Sequence, residues 1–137
     1  MKCKAGARVL MACMLGIWVG CKGDNPVGDE GSPSNIVFPT SNVSFQAQVL
    51  PLFEQACNYS GCHGSDAPQS LLKLTSWGEL MTSGAGVGAV VPGQPDNSTL
   101  VLRIEGRGAR MPPTGLPLNQ NQINGIRAWI VEGAKNN

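Results

Sequence analysis

"ACNYSGCHG", residues 56–64, places two thiols and one imidazole within seven positions: Cys57, Cys62 and His63. Four residues, Asn58 to Gly61, separate the cysteines, and the histidine follows the second one directly. A disulfide has no use for that histidine. A structural zinc site would ask for a fourth ligand close by. His63 is the only histidine in the 137-residue chain, so whatever chemistry the stretch performs has one imidazole to work with.

The other cysteines belong to a different part of the chain. Lys2, Lys4 and Arg8 precede an apolar run from Val9 to Val19 that ends at Gly20-Cys21. A basic start, an apolar middle and small residues at the end make a secretory signal over residues 1–20, too short for a conventional spanning helix. Trp18-Val19-Gly20-Cys21 resembles the lipobox of bacterial lipoproteins, with Trp18 standing where leucine is usual. The resemblance implies cleavage before Cys21 and a lipid on its sulfur, which would hold the exported protein on a bacterial membrane, facing the periplasm or the cell surface. An ordinary signal peptide cut nearby would instead leave Cys21 free. Cys3 and Cys13 leave with the signal, so Cys57 and Cys62 are the cysteines of the mature domain. In an oxidising compartment a bare pair closes into a disulfide unless something else claims it.

From Lys22 onward, seven Lys and Arg stand against nine Asp and Glu, a balance of −2. No basic patch exists to hold a phosphate backbone, which argues against nucleic acid as a partner. Residues 21–41 are dominated by Gly, Pro, Ser, Asp and Asn, with little to bury, and read as a flexible tether. The folded domain is expected over residues 42–137. Ser44 can cap a helix carrying Phe45, Val49, Leu52, Phe53 and Ala56, with a kink or a new start at Pro51. Ser76 and Glu79 have the form of a capping box for a short helix through Met81. Ser98 can cap a third helix bearing Leu100, Val101 and Ile104, stopped by Gly106. Asn119 and Gln122 cap the last, with its stripe of Ile123, Ile126, Ile130 and Ala134 and Trp129 beside it. Gly84-x-Gly86-x-Gly88 follows no strand, so it is not a nucleotide loop. Short helices joined by Gly- and Pro-rich loops predict an all-α domain. Its aromatics after Cys21 are six: Phe38, Phe45, Phe53, Tyr59, Trp77 and Trp129. A core this thin would be completed by a bulky apolar cofactor.

Haem attached through thioether bonds needs two thiols for its two vinyl groups and a nitrogen held beneath the iron. A histidine directly after the second cysteine meets both needs, and the familiar form is C-x-x-C-H. Here the gap is two residues longer. The chain at this point resembles a class I-like c-type cytochrome of the kind carried on exported bacterial proteins. The likeness spans nearly all of the mature domain: the helix before the motif, "CHG" at 62–64, "VPGQPDNS" at 91–98, "RMPP" at 110–113, and the terminal "INGIRAWIVEGA". It implies a bundle of short helices around one covalent haem c, Cys57 and Cys62 as thioether donors, and His63 and Met111 as axial ligands. Met81, the other methionine left after the signal is removed, lies on the apolar side of a helix and is read as core. Pro112 and Pro113 bias Met111 toward an extended backbone. Trp129 and Ile130 resemble the terminal-helix face that packs across the first helix, with Gly133 permitting close approach. One of Arg103, Arg107 and Arg110 could pair with a haem propionate, or all three could be a solvated charge run.

With both axial positions filled, no site is left for a substrate, so the expected role is one-electron transfer rather than catalysis. Partners would be redox proteins, met at a small transient interface. Two other readings compete. One is a zinc module of Cys57, Cys62 and His63 with Asp66 as the fourth ligand; the other is a Cys57–Cys62 disulfide in a non-redox lipoprotein. Neither uses "RMPP". For the anchor, Cys21→Ser is expected to abolish incorporation of a radiolabelled fatty acid and to stop lipoprotein-type cleavage; a wild-type chain that takes up no label removes the lipid site.

Overall fold

Ser44 opens the first helical segment, its Oγ accepting from Ala47 N at 3.2 Å. The computed structural model describes residues 32–66, 71–84 and 88–137, so the expected signal, Cys21, most of the tether and Gly86 lie outside the described residues. Pro51 decides the form of that first segment. It has no N–H to offer Ala47, and its ring crowds that carbonyl. The chain accordingly winds as a π-helical turn over Phe45–Val49, with Leu50 N–H bonded to Phe45 O. It restarts as α1, Leu50–Ala56, with Pro51 in the first turn. There a missing donor costs nothing. Phe45, Val49, Leu52, Phe53 and Ala56 are all buried, as their spacing predicted.

The remaining elements are α2 (Trp77–Thr82), a 3-10 turn (Pro95–Asn97), α3 (Thr99–Ile104) and α4 (Gln120–Val131); the described residues form helices and loops, without strands. No helix among the described residues is long and apolar enough to cross a membrane. Ser76 Oγ accepts from Glu79 N, but the reciprocal half of the expected box is missing: the Glu79 carboxylate accepts from the Thr75 hydroxyl instead. Asn119 and Gln122 form the full reciprocal box at the start of α4. At the end of α3, Gly106 adopts φ 75°. Gly106 N bonds to Arg103 O and Arg107 N to Leu102 O. This crossed pair closes a helix in left-handed backbone, where glycine carries no Cβ penalty.

Three expectations are corrected. Ser98 sits at the N-cap position of α3 without capping it. Its fully buried hydroxyl accepts from Val91 N and donates to Gln94 O, tying the 91–94 loop to the helix. Gly133 does not permit close packing, since a Cβ there would meet only the end of Lys135; it serves a φ of 99°. The close approach is at Gly125, where a Cβ would overlap Phe38 Cγ and Cδ1. Phe38 in turn lies in the stretch expected to be tether. Residues 32–38 instead pack on the domain: Gln122, fully buried, donates to Ser34 O at 2.8 Å, and Asn121 bonds both Phe38 N and Phe38 O.

α3 packs on α4 and on the 3-10 turn. A network of two arginines and two carboxylates bolts the three together: Arg127 meets Asp96 and Glu105 at 2.8 Å each, and Arg107 meets Glu105 at 2.7 Å. The Arg127 hydrogen bond and charge hold the exposed Asp96 carboxyl below its ordinary range. α4 meets the first segment through Trp129 and Phe45, ring centroids 5.6 Å apart.

Gly125→Ala is expected to lower unfolding free energy by about 1–3 kcal/mol, the usual cost of forcing a methyl into a packed core. Gly78, inside α2, has open space around its would-be Cβ. Gly78→Ala is expected to stabilise by about 0.5–1 kcal/mol through helix propensity and a stiffer unfolded chain. Denaturant midpoints of the two variants check the pair, and equal shifts would contradict the assigned packing.

Candidate functional site

α1 ends where the motif begins. Cys57 N and Asn58 N both bond to Phe53 O at 2.8 Å, which fixes the Cys57 backbone at the helix terminus. The four residues between the cysteines fold into a turn, with Cys62 N on Tyr59 O at 2.9 Å and Gly61 at φ 76°. His63 N then returns to Cys57 O at 3.3 Å. The longer gap is thereby folded within the loop that this bond closes, which keeps the second cysteine and the histidine beside the first. Gly64 is closely surrounded: a Cβ would stand 2.9 Å from Asn58 Oδ1 and 3.3 Å from Tyr59 O. The Tyr59 hydroxyl donates to Gln55 O, holding the turn against the last turn of α1.

The imidazole is oriented by a second segment. Leu74 N donates to His63 O at 2.9 Å, and His63 Nδ1 lies 3.0 Å from Leu72 O. A carbonyl can only accept, so Nδ1 is the donor here, and in the neutral ring the lone pair is on Nε2. A carbonyl behind the distal nitrogen is also the usual way a protein aims a ligating histidine. Segment 71–74 is itself fixed from the end of α2: Gly84 N bonds to Leu71 O, and Ser83 Oγ accepts from Lys73 N.

Opposite stands the loop after α3. Met111 N bonds to Arg103 O at 3.0 Å, folding the loop back on the helix that it leaves. The Met111–Pro112 peptide is cis. Between the two sides lie a cavity of about 400 Å³ and a smaller one of about 210 Å³. Cys57, His63, Met111 and Pro112 line both, and Cys62 lines the smaller. The larger is walled mainly by apolar groups, among them Leu72, Leu74, Leu100, Ile104 and Leu118. A space of this size and character is of the kind that takes a sizeable apolar ligand. Met81 lines neither cavity and packs against the core.

The donor set is one nitrogen, one thioether and two thiols. Cys57 and Cys62 are both free, not joined. Burial pushes the Cys57 thiol from the ordinary 9.0 up to about 12, and the neighbouring Cys62 adds to the rise, so Cys57 is a neutral thiol at physiological pH. Among the described residues, no group of three or more His, Cys, Asp and Glu comes together to hold a metal ion, so the zinc set with Asp66 is not assembled.

A family model described as Planctomycete cytochrome C matches residues 60–115. The match supports a cytochrome c-like domain. It takes in Cys62, His63 and Met111 and begins three residues beyond Cys57. Neither the curated proteins nor the solved structures compared with the chain yield a match. Such a match suggests haem binding and is consistent with electron transfer.

Of the three arginines that precede the methionine loop, Arg103 lines the larger cavity, whereas Arg107 is held by Glu105 and Asp96. Arg110 lines neither cavity. The residue that sequence reasoning missed is Leu72, which acts through its carbonyl. A main-chain acceptor leaves no mark in residue type.

The raised Cys57 value gives the haem-free chain a pH signature. The folded thiol binds its proton more tightly than the unfolded one. Its stabilising contribution is complete below 9.0 and is lost as pH climbs toward about 12. Denaturant midpoints are therefore expected to fall more steeply above 9.0 in wild type than in Cys57→Ala. Parallel curves would contradict a buried thiol.

Proposed function

We infer that the chain is an exported, lipid-anchored monohaem c-type cytochrome carrying single electrons between redox partners. The observation that carries the reading is the shared border of the two cavities, where a cysteine, an oriented histidine and a methionine meet. Two free thiols, an imidazole with Nε2 available and an apolar space match what haem c asks of a protein. Cys57 and Cys62 would each add S–H across a vinyl group, sulfur to one carbon and hydrogen to the other. His63 would supply the proximal nitrogen and Met111 the distal sulfur. Bound there, haem supplies an iron centre that cycles by one electron, and a His/Met ligand pair raises its potential.

The chain's own residues do the rest. Leu72 O holds the His63 ring in the ligating tautomer. The apolar walls would keep water from a haem held there, and the loop fixed by Arg103 O carries Met111 at the cavity. With His63 and Met111 both bound to the iron, no open site would remain there for a substrate. A small transient interface with another redox protein suits such a carrier. The Cys21 lipid and residues 22–31 would keep it near a membrane.

The haem reading predicts a red protein whose haem remains with the chain under denaturing electrophoresis. A colourless protein from a host with active cytochrome c maturation would remove the reading. Met111→Ala is expected to abolish the weak near-infrared band of sulfur bound to ferric iron, to lower the reduction potential, and to let carbon monoxide bind. Met81→Ala should leave the spectrum unchanged. The opposite pattern would assign the ligand to Met81, and a wild type that binds carbon monoxide readily would point to an open sixth position.

A further inference from the structure

Arg103 touches the candidate site in three ways. It lines the larger cavity, where His63 is the other basic residue and the remaining residues are uncharged or thiol-bearing. Its Nη1 donates to Ala109 O at 3.4 Å, on the loop that carries Met111. Its own carbonyl accepts from Met111 N at 3.0 Å. Gly108 lies against the guanidinium: a Cβ there would stand 3.1 Å from Nη1, and the backbone φ is 96°. The loop is thus built around this side chain rather than merely near it.

The charge of Arg103 has no carboxylate partner among the described residues. Arg107 and Arg127 are both engaged, by Asp96 and Glu105. A guanidinium carries five donors in a planar fork, and the Ala109 bond occupies one of them. The others are available to an acidic group brought into the cavity. Charge-assisted, two-pronged bonds to a carboxylate are the strongest that such a fork makes.

We propose that Arg103 is the positioning residue of the methionine loop: it holds Ala109 O with one donor and a carboxylate of the cavity's occupant with others, so that seating the occupant draws Met111 into place. The proposal rests on the haem reading, in which the occupant's acidic groups are its two propionates. It makes the sulfur ligand depend on a charge that never touches the iron.

The test uses haem-loaded full-length protein and three substitutions, with Met111→Ala as reference. Arg103→Leu removes both bonds, Arg103→Gln keeps a neutral donor for Ala109 O, and Arg103→Lys keeps the charge. Leu and Gln are expected to weaken the near-infrared sulfur band and to speed carbon monoxide binding about tenfold, the weight of one charge-assisted hydrogen bond. Lys is expected to recover most of the band. Soret intensity per chain and far-ultraviolet dichroism check loading and fold. If Arg103→Leu does not accumulate, the contrast between Gln and Lys carries the test. Band and carbon monoxide rate unchanged in all variants would overturn the positioning role, as would a Gln variant that recovers as well as Lys. Those results leave wild-type haem intact, whereas a colourless wild type removes the haem reading and the proposal together.

Discussion

The tilted contact of Trp129 with Phe45 lies in the last turn of α4, the helix on which the other elements close. Phe38 fills the groove left by Gly125, Arg127 gathers the carboxylates of the 3-10 turn and of the end of α3, and Gly93 N bonds to Ile130 O at 2.7 Å. Just beyond α4, Trp77 Nε1 donates to Ala134 O, and Asn137 accepts from Ser44, Phe45 and Gln46 at the start of the first segment. α1 and α3, which bear the two sides of the candidate site, are therefore set against one frame.

The site itself is made of returns. The chain leaves α1 at Cys57, turns through residues 58–61 and comes back to the Cys57 carbonyl at His63. It leaves α3 through the crossed bonds at Gly106 and comes back to the Arg103 carbonyl at Met111. Both returns are secured by main-chain hydrogen bonds, which cost no side-chain freedom and leave the functional groups themselves unspent. The exception is His63 Nδ1, which is spent on Leu72 O so that Nε2 is not.

What was legible in the sequence was local. The Asn119/Gln122 box, the Gly106 stop and the restart at Pro51 each follow from residues within one helical turn, and each stands as read. The misreadings concern partners that lie outside the helix being read. Ser98 looked like a cap because its neighbours are helical, yet its hydroxyl is claimed by Val91 and Gln94 across the preceding loop. Glu79 lost its half of a box to Thr75. Residues 32–38 looked too polar to pack, but they are held through Gln122 and Asn121, more than 80 positions on. Composition cannot show that a buried amide is waiting for a particular carbonyl. For the site, the motif named Cys57, Cys62 and His63, and the prolines pointed to Met111; the cavity they share depends on how α3 and the 71–74 segment come together, which no spacing rule supplies.

The anchoring of residues 34–38 also has a mechanical meaning. Gln122 grips Ser34 O and Ile36 O, Asn121 grips both polar groups of Phe38, and the Phe38 ring is wedged into Gly125. A pull on the N-terminal side of the chain is borne at this clamp by several bonds along one face of α4. The same stretch also reaches α1 directly, because Ser34 Oγ donates to Gln55 Oε1 at 2.9 Å, so load on these residues is shared between α4 and the helix that ends at Cys57.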